Sequence, residues 1–140
     1  MRILATIIAT TLLASTTYSQ VLINEYCAAN NALTDAFGGT PDWIELYNAG
    51  GSNVDLTGYH LSDKASNITK FVIPAVTINA GSHVIFYCSG KDQQTMGETH
   101  TNFKLRQSFN AENIILADAA GTVIDSLTIQ ATQYGHSRGR

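Results

Sequence analysis

From Val21 onward, no stretch repeats its apolar residues at the 3.6-residue spacing by which a helix buries one side. That absence constrains the fold more than any single motif does. The apolar residues instead fall in short β-branched and aromatic runs: Val21 to Ala28, Asp42 to Asn48, Tyr59 to Ser62, Lys70 to Ile73, Val76 to Asn79, His83 to Ser89, Phe103 to Gln107, Glu112 to Asp118 and Val123 to Ile129. Turn formers separate them, as in Asn48-Ala49-Gly50-Gly51-Ser52-Asn53 and Ala119-Ala120-Gly121-Thr122. About eight or nine short strands spaced by such turns predict an all-β, antiparallel two-sheet sandwich. Val84, Phe86 and Cys88 alternate with Ile85 and Tyr87, so this strand is apolar on both faces and belongs in the middle of a sheet. Pro74 ends the Lys70 run because it has no N–H to offer a ladder.

Residues 29–41 and 90–101 form two long polar loops, the first a candidate binding surface. A chain of 140 residues suits one domain. Its first twenty residues are set apart by composition: Arg2, an apolar run from Ile3 to Ala14, then small and polar residues to Gln20. This is the pattern of a secretory signal peptide, 1–20, leaving 21–140 as the mature domain with no membrane span after cleavage. The expected location is therefore secreted: extracellular, at the cell surface, or periplasmic. Without Arg2 the balance is 7 basic against 11 acidic residues, a net charge of −4. An acidic surface argues against nucleic acid and anionic membranes as partners, and Lys104, Arg106, Arg138 and Arg140 are a thin basic patch.

Within the Asp42 run, Ile44 and Leu46 take one side of the pleat, and Trp43, Glu45 and Tyr47 the other. Together with Asn24-Glu25, Trp43-Ile44-Glu45-Leu46-Tyr47-Asn48, Asp55-Leu56-Thr57-Gly58-Tyr59-His60-Leu61-Ser62-Asp63, Asp125-Ser126 and Ser137-Arg138-Gly139-Arg140, the sequence resembles the lamin tail domain in its bacterial, exported version. The order and spacing of these motifs carry the resemblance. It implies an immunoglobulin-like two-sheet β-sandwich. It also implies fixed structural roles for Asn24, Glu25, Asp55, Gly58, Asp63 and Asp125. In the family the closing motif continues for some residues; here the chain stops on it, so a truncated C-terminus or an abbreviated last strand is expected.

Cys27 and Cys88 are the only cysteines. In an oxidising compartment they are either a disulfide between sheets or two buried thiols. A bridge across about sixty residues would contribute about 4 kcal/mol in the chain-entropy account.

The search for catalytic chemistry finds no phosphate-binding glycine loop, nucleophile elbow, HExxH or paired CxxC. His60, His83, His100 and His136 stand singly, so neither a metal nor a cofactor is expected. Asp35, Asp42, Asp55 and Asp63 read as turn caps in preference to calcium ligands. Trp43, Glu45, Tyr47 and Tyr59 are the candidate binding residues, the three aromatic ones forming a platform of the kind that holds a sugar ring or a peptide. The expected function is a non-catalytic exported binding or interaction module with a protein, cell-surface or glycan ligand. The alternatives are an accessory domain that positions a larger exported hydrolase or nuclease, and, behind it, a small hydrolase using Glu25 and Glu45.

Overall fold

The computed structural model describes residues 20–107 and 112–140. The expected signal peptide, except Gln20, lies outside the described residues. Twelve strands and no helix occur among those described. They are β1 (Val21–Cys27), β2 (Trp43–Asn48), β3 (Val54–Asp55), β4 (His60–Ser62), β5 (Phe71–Val72) and β6 (Thr77–Ile78). The second half holds β7 (His83–Tyr87), β8 (Gln93–Thr95), β9 (Glu98–His100), β10 (Asn113–Ala117), β11 (Val123–Thr128) and β12 (Arg138–Gly139).

One sheet runs β12-β1-β2-β7-β9-β8 and a second runs β11-β10-β4-β5, with β3 and β6 paired apart from both. The core lies between the two large sheets. Ile23, Ile44, Leu46 and Phe86 from the first meet Leu61, Phe71, Ile114 and Leu116 from the second. Ile44 and Leu46 are fully buried while Trp43, Glu45 and Tyr47 are partly exposed, which is the alternation expected for β2. Removing a side chain of this kind from water contributes roughly 1.5–3 kcal/mol. As expected, β7 is interior to its sheet, between β2 and β9.

Strand β1 departs from simple alternation. Ile23 and Tyr26 both face the core although they are three residues apart, because the register with β2 shifts between Ile23 and Glu25. This bulge places Asn24 and Glu25 together outside the core. The edge of β1 is covered only briefly by β12, which pairs with Glu25 and Tyr26. Beyond it, side chains replace the ladder: Asp125 accepts the Ile23 N–H at 2.7 Å, and Arg140 Nε donates to the Ile23 carbonyl at 2.8 Å. An open strand edge is thereby closed with one carboxylate and one guanidinium.

Two expectations need correction, and one open choice is decided. The 90–101 segment is not an irregular loop: β8 and β9 form a hairpin turned at Met96 and Gly97, both at positive φ (50° and 81°), and β9 adds to β7 in parallel. Paired positive φ values are what a tight two-residue hairpin turn needs, and the Met at the first position hid it. Phe103 to Gln107 is extended but forms no strand; Phe103 and Leu105 nonetheless point into the core and Lys104 and Arg106 out of it. Cys27 and Cys88 are both free and buried. The bridge between sheets fails because both belong to the same sheet, on β1 and directly after β7, with β2 between them. Two strand spacings exceed the span of a disulfide.

Candidate functional site

The outer face of the six-stranded sheet gathers three cross-strand rows. Leu22, Tyr47 and His83 are in register; so are Glu25, Glu45 and Ile85, and then Cys27, Trp43 and Tyr87. The Tyr47 and His83 rings stack with centroids 4.5 Å apart and planes 23° from parallel. His83 also brings Nε2 to 3.8 Å from Glu45 Oε1, and Asn24 Nδ2 donates to that same oxygen at 2.7 Å. Glu25 accepts from the Ser137 hydroxyl. The two glutamates are thus direct cross-strand neighbours on an open sheet face, each held by a polar side chain, and no cleft separates them. Trp43 is half-buried, and its Nε1 is enclosed with no hydrogen-bond partner among the described residues.

Tyr59 does not join this face. It precedes β4 of the opposite sheet and packs against the core. The expected aromatic platform of Trp43, Tyr47 and Tyr59 therefore reduces to Trp43 and Tyr47, with Glu45 beside them and His83 as the member that sequence alone did not supply. His83 faces Tyr47 because of the β2–β7 register, and that pairing cannot be read from either strand by itself.

The residues carried over from the resemblance all have definite positions. Glu25 and Asp125 belong to the closure of the β1 edge, where Arg140 pairs with Asp125 through Nη2, while the Asn24 side chain turns the other way, to Glu45 on β2. Asp55 accepts from the Thr57 N–H and hydroxyl, and these bonds hold its carboxyl below the usual value. Gly58 adopts φ 82°, in the turn leading to β4. Asp63 is buried and paired with Lys70 Nζ at 2.6 Å.

Among the four aspartates weighed as calcium ligands, Asp35, Asp42 and Asp55 each accept backbone N–H groups. Burial would raise the Asp35 carboxyl, but the N–H groups of Gly39 and Phe37 and the Lys91 ammonium overcome it and leave it lowered. For Asp42, burial wins over the Asn30 N–H and its carboxyl is raised. Among the described residues, no three His, Cys, Asp or Glu side chains converge as a metal site.

The 29–41 loop lies against the end of this sheet. Asn30 ties it to itself through Leu33 and Pro41, and Tyr87 donates its hydroxyl to the Thr34 carbonyl at 3.4 Å. Lys91 reaches it twice, pairing with Asp35 at 3.2 Å and standing 3.5 Å over the Phe37 ring. Beneath it, His100 has no exposed surface. Its Nδ1 is 3.0 Å from Ser89 Oγ and its Nε2 3.3 Å from Glu98 Oε2. This serine–histidine–carboxylate chain was not visible in the sequence, although Glu98 and His100 two apart on one strand share a face. It anchors the loop, since Glu98 also accepts the Ala36 N–H and Phe37 closes edge-on over the imidazole. A cleft of about 400 Å³ opens between this loop and Ser89, lined also by Asp35, Asp42, Lys91 and Lys104.

No curated protein matches the chain. Among protein families, residues 14–131 match the Lamin Tail Domain, a range that takes in the bulged β1, the Trp43 strand, the Gly58 turn and Asp125, and stops short of Ser137 to Arg140. The two-sheet sandwich is thus the family's immunoglobulin-like fold, and the chain belongs to the lamin tail domain family.

Proposed function

We infer that this chain is a non-catalytic, exported interaction module that docks a partner at the cell surface, protein or glycan, on the outer face of its six-stranded sheet. The observation that carries this reading is the in-register cluster of Trp43, Tyr47, His83 and Ile85 on that face. The outward side of an antiparallel sheet is ordinarily polar; here stacked rings and an isoleucine are held there by a rigid ladder and by the Asn24–Glu45 bond. Flat aromatic surfaces with polar groups at the margin suit sugar rings and extended peptides.

Membership of an immunoglobulin-like family supports a binding role. The serine–histidine–carboxylate chain fits a structural role, since Glu98 ties it to the 29–41 loop through the Ala36 N–H and Phe37 and Tyr87 cover the imidazole. Export rests on the apolar run Ile3 to Ala14 behind Arg2. The test is cosedimentation of the purified chain with intact cells of its own source. Wild type sediments with them, and Tyr47→Ala or His83→Ala loses at least about tenfold in apparent affinity, as expected when an anchor residue is removed. Equal binding by wild type and both variants overturns the reading.

A further inference from the structure

Half of the chain's eight basic residues, Lys64, Lys70, Lys104 and Arg106, line one cleft of about 350 Å³ on a protein that is acidic overall. They come from two places distant in sequence. Lys64 and Lys70 flank the turn after β4, while Lys104 and Arg106 are the outward positions of the extended 103–107 segment whose Phe103 and Leu105 are in the core. The alternation that buries Phe103 and Leu105 is what aims both cations outward.

The cleft is built before any ligand arrives. Lys70 is fixed by buried Asp63 at 2.6 Å and stands 5.3 Å over the Phe103 ring. Asn102 Nδ2 donates to the Lys70 carbonyl at 2.8 Å, and Glu112 accepts the Arg106 N–H at 2.9 Å. Only two carboxylates, Asp63 and Glu112, line the cleft against four cations. Among the described residues, Lys64, Lys104 and Arg106 take part in no ion pair. The lining thus holds two more cations than carboxylates, with Lys104 also feeling the Asp42 carboxylate of the neighbouring cleft.

We propose that this cleft binds a phosphate group carrying two or more negative charges. A dianion balances the excess, and a single carboxylate does not. Lysine ammonium groups and a guanidinium fork surrounding one small space are the donors that phosphate oxygens take. The only aromatic residue lining the cleft is Phe103, which is 4% exposed, so there is no ring on which a nucleobase could stack. The site lies apart from the Trp43 face and does not depend on the reading given for that face.

The experiment is calorimetric titration of the full chain with inorganic pyrophosphate at low ionic strength, repeated with a long-chain polyphosphate and with single-stranded DNA. Pyrophosphate binds with Kd on the order of 1 mM or tighter, and added salt weakens it. The K104A/R106A double variant, both sites being exposed, keeps its circular dichroism and loses at least about tenfold in affinity. The charge-preserving K104R/R106K variant retains binding, and Arg138→Ala, at an exposed cation that does not line the cleft, is unchanged. Polyphosphate binding more tightly per molecule assigns the group to a polymer; equal affinity assigns it to a free phosphate. No pyrophosphate binding, an equal loss in Arg138→Ala, or DNA binding tighter than polyphosphate of the same charge overturns the proposal.

Discussion

Asp125 shows how much one side chain can decide. It stands on β11 of the second sheet, yet its two oxygens serve the first, one accepting the Ile23 N–H and the other facing Arg140. Asp125→Ala leaves a backbone donor and a guanidinium unmatched together, so urea unfolding should show a loss of about 2 kcal/mol. Asp35 supplies a pH-dependent counterpart. Its native carboxyl is lowered, so its contribution is complete above the unfolded value near 4 and is lost as pH falls through the native one. The stability difference between wild type and Asp35→Asn should be about 2 kcal/mol at neutral pH and vanish in acid; a difference that persists at pH 2 contradicts this account. The cysteines give a third test. Burial raises both thiols, Cys88 well above the usual value. Neither should react with a thiol reagent at pH 8 in the native protein, and both should react in denaturant without reductant. At this scale the sequence was only partly legible. Asp125 and Glu25 could be singled out by resemblance, but not their partners, because Ser137 and Arg140 reach them across more than a hundred residues or from another sheet.

Elements were more legible where two faces differ in polarity. The Asp42 run alternates cleanly and became β2; the doubly apolar His83 run became an interior strand. Polar strands were missed, since Gln93 to His100 has no apolar face and its pairing comes from a turn. That turn is itself testable. Gly97 sits at φ 81° with open space around it, so Gly97→Ala costs conformational energy without a clash. A loss of about 1 kcal/mol is expected, with faster hydrogen exchange at Gln94 and Thr99 while the β1–β2 pair is unaffected. Phe103 to Gln107 teaches the reverse lesson. Its side chains alternate between core and solvent even though no ladder forms there, because burial follows the pattern of apolar residues and pairing requires a neighbouring edge.

For the whole molecule, turn spacing and the lack of helical periodicity were enough to indicate two packed sheets, and the family match agrees. What the sequence could not supply is which distant residues the sandwich brings together. Tyr59 was grouped with Trp43 on chemistry alone, and the sheets put them on opposite layers. His83, from a strand picked out for its apolar faces, joined Tyr47, and four scattered cations met in one cleft. The central claim is that the outer face of the six-stranded sheet is the contact surface. Trp43 is the chain's one tryptophan and stands on that face, so its fluorescence reports there directly. The measurement is its emission during titration with solubilised cell-surface polysaccharide and protein fractions from the source of the chain. A saturable shift that Tyr47→Ala abolishes is the predicted result. Saturable binding seen by another probe, with Trp43 emission unmoved and Tyr47→Ala equally active, would contradict it.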